Sequence, residues 1–182
     1  MTSNKVVGTA VGRKDGPEKT TGTGLYGLDA SMPGMLWMKI LRSPFAHARI
    51  KNIDTKAATA LPGVHLVLTG NDLKGKLTGN AIKDMPLLCW DEVKLVGDNV
   101  AAVVAEDEDI AQIALSLISV DYEELDSILE PEDSTASDAI VLHPEFNSYV
   151  GAPPMESPGN RYAGLHHEIG DTNKGLSEAD IV

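Results

Sequence analysis

The sequence predicts an α/β or α+β domain, in which a sheet carries one or two packed helices. Three observations lead there. Short alternating or β-branched runs recur at Leu36–Arg42, Ala46–Ile53, Val64–Leu68, Val100–Ala105 and from Val120 onward. A single clear amphipathic helix lies between the last two, with Ile110, Ile113, Ala114, Leu117 and Ile118 at i, i+3, i+4, i+7 and i+8. The 182 residues are 42% hydrophobic and 23% charged, which suits an ordinary globular domain able to bury a core without disulfide or metal staples. Strands interleaved with a few helices indicate a layered α-with-β architecture.

Each element follows from local chemistry. The first thirty residues are rich in Gly, Thr and charge, and Asp15-Gly16-Pro17 reads as a turn. In the first strand, Leu36, Met38 and Ile40 alternate against Trp37, Lys39 and Leu41, so one face is the more apolar. Ser43-Pro44 interrupts it, because proline has no N–H for the ladder. The second strand sets Ala46, Ala48 and Ile50 against a polar face of His47, Arg49 and Lys51. Asp54 is placed to cap a helix over Thr55–Leu61, which Pro62-Gly63 stops. Val64–Leu68 ends at Thr69-Gly70-Asn71-Asp72, and residues 71–92 form a loop-rich excursion. Val93–Val96 and Val100–Ala105 read as strands around Gly97-Asp98-Asn99. Residues 145–160 hold three prolines and two glycines with few large apolar side chains, which reads as an exposed connector.

Charge narrows the functional classes. Fifteen basic and 27 acidic side chains give a net charge of −12. Such a chain repels phosphates and is a poor nucleic-acid or anionic-membrane binder. Its eight aromatic residues are too few for a base-stacking platform. The longest apolar run, Val100–Ala105, cannot span a bilayer. The N-terminus MTSNKVVGTA lacks the apolar core of a signal peptide, and a cytoplasmic location is expected. The charge is also uneven. Residues 95–160 carry 15 carboxylates and no Lys or Arg, whereas residues 1–94 carry 13 basic and eight acidic side chains. These regions read as two faces of one domain, the acidic one solvated or set against a basic partner.

No residue pattern supplies a self-sufficient reaction centre. Gly22-Thr23-Gly24-Leu25-Tyr26-Gly27 matches G-x-G-x-x-G, but that fingerprint needs a strand before it and a helix after it. Here Lys14–Lys19 precedes it and Ser31-Met32-Pro33-Gly34 follows, so it reads as a glycine-rich turn. Glu106–Asp109 lacks the spaced ligands and turn glycine of a calcium loop and suits the positive end of a helix dipole. None of His47, His65, His143, His166 and His167 pairs at i, i+4, and adjacent His166 and His167 on a strand would face opposite ways. The lone Cys89 excludes an internal disulfide, a Cys-based zinc site and an iron–sulfur cluster, and reads as a buried spectator. Arg42, Ser43, Pro44, His47 and Arg49 concentrate two guanidiniums and an imidazole at a strand-to-strand bend. By composition alone they face water; they are also the candidate domain or subunit contact, with an anionic small ligand as a further alternative. No residue is assigned a catalytic, cofactor-binding or metal-ligating role.

Read in order, several segments resemble a known pattern. They are Gly22-Thr23-Gly24-Leu25-Tyr26-Gly27-Leu28-Asp29, Pro33-Gly34-Met35-Leu36, the run from Ile40 through Ile50, Ile53-Asp54-Thr55 and Leu61-Pro62-Gly63-Val64. The likeness resumes from Val93 through Ala105, in Val120–Leu125, at Gly170-Asp171 and in Leu176–Val182. Together they are similar to the start of the molybdenum-binding large subunit in the xanthine dehydrogenase, aldehyde oxidase and carbon monoxide dehydrogenase family. The resemblance covers residues 8–143 and 166–182 and passes over 145–160.

It implies an α+β fold of the α/β-hammerhead kind, a mixed β-sheet with a few packed helices. The hammerhead domain would occupy residues 1–143, a variable exposed connector 144–165, and an exit segment 166–182. The family hydroxylates aldehydes, N-heterocycles, aromatic thioesters or carbon monoxide with a molybdenum–pyranopterin cofactor, and passes electrons through iron–sulfur clusters to a flavin (FAD). The cofactor loops and active-site glutamate of that family have no counterpart in these residues. The chain is therefore expected to be a non-catalytic portion of a molybdenum hydroxylase large subunit, whether a split-gene subunit, a truncated frame or an excised domain. Its partners would be the remainder of the large subunit and the iron–sulfur and flavin subunits or domains. The alternative is a free-standing interaction module that reuses the fold.

Overall fold

The computed structural model describes residues 7, 8, 10–153, 159–161, 167 and 169–181. The chain divides into two units, residues 1–35 and 36–182, a boundary that the sequence reading did not draw. In the first unit, α1 spans Gly16–Thr21 and a single 3-10 turn spans Gly27–Asp29. Asp15-Gly16-Pro17 thus opens a helix instead of a free turn. Proline suits the first helical turn, where its missing N–H would have had no partner.

The second unit contains, in chain order, β1 Trp37–Arg42, β2 Ala48–Asp54, α2 Lys56–Thr59, β3 Val64–Thr69, β4 Leu77–Thr78, β5 Met85–Pro86, β6 Glu92–Val93, β7 Asn99–Ala105, α3 Glu108–Ser116, β8 Ser119–Glu124 and α4 Thr172–Ser177. Among the described residues the strands form three small antiparallel sheets, ordered β1-β7-β3, β6-β2-β8 and β4-β5. The expected α-with-β architecture is present, as separate small sheets with few helices.

Strand β7 is the centre of the first sheet. Its residues NVAAVVA are almost all small or β-branched, and most are buried. Ala101 and Val103 face α3 and join Ala58, Ala114, Leu115 and Ile118 in one core cluster. Val100 belongs to a second cluster with Ala48, Ile50, Cys89 and Val93. Ile53 and Val120 pack against both clusters, so the two leading sheets share a continuous apolar interior.

Three sequence expectations change in detail. The strand expected over Val93–Val96 ends at Val93. The Asp98 carboxylate accepts the N–H groups of Lys94 (2.7 Å) and Leu95 (3.2 Å), which closes a turn where the strand would have continued. The helix expected over Thr55–Leu61 shortens to α2. Thr55 takes the capping position, while Asp54 accepts the Lys56 N–H at 3.0 Å. The buried side of α3 is Ala111, Ala114 and Leu115, continued by Ile118, whereas Ile113 is 52% exposed and Leu117 39% exposed. Small residues let the helix lie close to β7, and its larger side chains flank the contact. The acidic helix start holds: Asp107 caps α3 by accepting the Ile110 N–H at 2.7 Å.

The connector expected to be exposed is partly packed. Phe146 is buried within a 3-10 turn at Phe146–Ser148. In the exit segment, Asp171 caps α4 through the Lys174 N–H at 2.9 Å, and every described residue there is exposed. His166 lies outside the described residues. No helix among the described residues is long and apolar enough to cross a membrane.

Candidate docking surface

The bend between β1 and β2 is built around Ser43. Its side chain is 3% exposed, and its hydroxyl donates to the Phe45 carbonyl and accepts the Phe45 N–H, both at 3.0 Å. Its backbone N–H donates to Asp98 O (2.8 Å), and its carbonyl accepts the Gly97 N–H (2.9 Å). The Ser43-Pro44 interruption is thus a hydrogen-bonded corner, with Pro44 exposed on its outside.

The two guanidiniums and the imidazole of the bend meet groups of the same chain. Arg42 donates from Nη1 to the Gly97 carbonyl and to Asn99 Oδ1, both at 2.9 Å. The half-buried His47 sets Nδ1 against the Asp126 carbonyl and Nε2 against Glu92 Oε1 (3.1 Å). Arg49 donates to Glu123 Oε2 at 2.6 Å, and Lys51 lies 2.9 Å from the same oxygen. That cation pair holds the Glu123 carboxyl below its ordinary range. The register explains the grouping, since Arg49 faces Glu92 on one side and Glu123 on the other. Arg42 turns instead to the 97–99 corner. The five predicted residues form two adjoining hydrogen-bonded patches of one bend, whose exposed members are Arg42, Pro44 and Arg49.

The structure adds a surface that residue-by-residue reading missed. Opposed residues of an antiparallel pair point to the same side. Lys39, Leu41, Ala101, Val103 and Val67 therefore face α3, and Lys39 pairs with Glu108 of that helix at 2.6 Å. The opposite side carries two rungs of three, Met38–Val104–Leu66 and Ile40–Ala102–Leu68. All six are apolar. Burial along this side falls from Val100, covered by the second core cluster, to Met38 (64% exposed) and Leu66 (46% exposed). The signal was the Leu36/Met38/Ile40 alternation. What the sequence did not carry was that this more apolar side turns away from the helix.

Among the described residues no three His, Cys, Asp or Glu side chains gather as a metal site. The Cys89 thiol is buried and pushed up to about 12, first by desolvation and then by Asp98 and Asp91, so it stays protonated.

A family model described as the aldehyde oxidase and xanthine dehydrogenase a/b hammerhead domain matches residues 21–126 of the 182. The chain belongs to that family. A probable xanthine dehydrogenase subunit of Bacillus subtilis (strain 168) is 45% identical over 136 residues, which cover 74% of this chain and 18% of that protein. The nicotinate dehydrogenase large molybdopterin subunit of Eubacterium barkeri is 34% identical over 179 residues, 98% of this chain and 39% of that protein. Reconstituted CO dehydrogenase from Oligotropha carboxidovorans superposes with a TM-score of 0.73 at 33% identity, covering 96% of this chain and 22% of that one. The hammerhead chain thus spans 39% or less of the length of these relatives. Two of these relatives are themselves named as subunits. Both sides of the bend lie within the matched residues, as do β1, β3 and β7.

Proposed function

We propose that this chain is the α/β-hammerhead portion of a molybdenum hydroxylase large subunit. It serves as a structural support that packs against the molybdopterin-binding portion and takes no part in the oxidation. The hammerhead portion runs to residue 143, followed by the 144–165 connector and the 166–182 exit segment. The observation that carries this reading is the outer side of the first sheet. Met38, Ile40, Ala102, Val104, Leu66 and Leu68 present an apolar surface with no charged member, partly open to water. In the whole enzyme, molybdenum–pyranopterin, iron–sulfur clusters and FAD are held by other polypeptide. Arg42, Pro44 and Arg49 of the bend lie where the iron–sulfur or flavin subunits or domains make contact. A cytoplasmic location accompanies this role.

The test uses the 182-residue chain and the remainder of the nicotinate dehydrogenase large molybdopterin subunit of Eubacterium barkeri. Gel filtration and calorimetry should show a one-to-one complex, weakened at least about tenfold by Leu66→Glu, since burying an unpaired carboxylate costs more than about 1.4 kcal/mol. An absence of binding would favour the free-standing interaction module, and unchanged affinity in Leu66→Glu would place the contact on another face. Stoichiometric molybdenum or dye-linked dehydrogenase activity in the chain alone would contradict the supporting role.

A further inference from the structure

A cluster of ionisable side chains lies apart from the docking surface, where residues 143–151 fold back on the surface built by residues 79–94. His143 Nδ1 lies 2.9 Å from the Tyr149 hydroxyl, and that hydroxyl donates to Glu145 Oε1. Lys94 Nζ stands 3.7 Å from the same carboxylate oxygen. Since the tyrosine proton is committed to Glu145, the oxygen accepts from His143, which fixes the Nδ1–H tautomer. The two rings meet edge to face at 5.7 Å, and Phe146 packs edge-on to Tyr149 at 6.1 Å.

The backbone closes the same contact. Lys83 N–H donates to the Val150 carbonyl at 2.9 Å. Gly151 has φ +85° and lies so close that a Cβ would sit 2.1 Å from the Ala81 carbonyl oxygen. Only glycine fits that seat.

We propose that residues 143–151 form an acid-released clasp on the 79–94 surface, closed while His143 is neutral and freed when its imidazole takes up a proton. Around His143 stand Lys94, Glu92 and Asp84 from the 79–94 surface, with Glu145 and Tyr149 from the clasp itself. Desolvation first, and Lys94 second, oppose the charged imidazole, and together they outweigh the carboxylates of Glu145, Asp84 and Glu92. His143 therefore titrates below its ordinary 6.5 when the clasp is closed. The open form binds the proton more readily. The closed form is fully favoured above about 6.5 and loses ground as pH falls through the lowered value. Burial also opposes ionisation of Glu145, but the Tyr149 hydroxyl, its own backbone, Lys94 and His143 together hold its carboxyl below the ordinary 4.5.

Amide hydrogen exchange on the full chain, compared as protection factors between pH 7.5 and 5.0, reads the clasp directly. The Lys83 amide is the reporter, because its acceptor belongs to the clasp. Its protection is expected to fall with acid, at the midpoint of the His143 imidazole titration followed by NMR, while amides of the central strand keep theirs. His143→Gln is expected to keep the reporter protected at both pH values. Gly151→Ala is expected to expose it already at pH 7.5. Constant protection in the wild-type chain overturns the proposal, as does a midpoint that departs from the His143 titration. The same acid loss in His143→Gln, or full protection in Gly151→Ala, overturns it equally. If His143→Gln does not fold, the coincidence of midpoints in the wild-type chain decides.

Discussion

Gly70 sits where two stretches of backbone nearly touch. A Cβ there would lie 2.0 Å from the Cys89 carbonyl oxygen and 2.5 Å from the Trp90 nitrogen. Neither neighbour is the free end of a side chain, so the contact cannot relax cheaply. Gly70→Ala is expected to destabilise the chain by about 1–3 kcal/mol in urea unfolding, the usual range for overpacking. A change below about 0.5 kcal/mol would show that the two backbones are not in contact. The adjacent Thr69 and Asp72 were legible as a strand-ending turn. Asp72 accepts the Thr69 N–H at 2.7 Å and its hydroxyl at 2.9 Å, and those bonds hold its carboxyl below the ordinary range. That Gly70 must be glycine was not legible, because the Cys89 backbone that excludes a side chain is distant in sequence. His47 is a similar case. Its chemistry was visible as an imidazole near a bend, but its partners Glu92 and Asp126 come from distant segments that only folding brings near.

At the scale of the element, α3 shows what periodicity carries and what it does not. The existence of the helix, its acidic start and the cap by Asp107 all follow from local residues. Its rotation about its own axis does not. A stripe centred on Ile110, Ile113 and Leu117 and one centred on Ala111, Ala114 and Leu115 are both apolar. The sheet selects the second, because its small residues approach β7 more closely. Leu115→Ala is therefore expected to cost about 2–5 kcal/mol, as for a buried leucine. Ile113→Ala, at a half-exposed position, is expected to cost about 1 kcal/mol or less. Chemical denaturation of the two variants distinguishes the registers, and a reversed order would mean that the helix is rotated. The strands were more legible than the helix rotation. β1, β3, β7 and β8 lie within a residue or two of the runs that announced them, because β-branched runs admit few alternatives.

At the scale of the whole molecule, the decisive feature is an apolar sheet side that is only partly covered. Met38 and Leu66 lie on one rung of that side and remain widely open to water. Without a partner the chain is expected to self-associate as its concentration rises, because water is expelled from such a surface wherever two copies meet. Met38→Lys is expected to suppress this without unfolding the chain, since the position is already exposed. Sedimentation measured over a concentration series checks both statements. A wild-type chain that stays monomeric throughout would show that the outer side is not adhesive. The net charge of −12 opposes association over distance, so added salt should strengthen it.

The sequence by itself determined the family, the α-with-β composition and the positions of most strands. These rest on local patterns: alternation, turn residues, and an ordered set of motifs over residues 8–143 and 166–182, of which the family model matches 21–126. Tertiary structure alone decided which side of β1 is covered and which stays open, which face of α3 is buried, and where the cations of the bend find their acceptors. It also decided that residues 143–151 close on the 79–94 surface instead of trailing away as a connector. The physical reason is common to all four. Each depends on register between segments far apart in the chain, and an apolar or charged residue carries no mark of the distant partner it will meet.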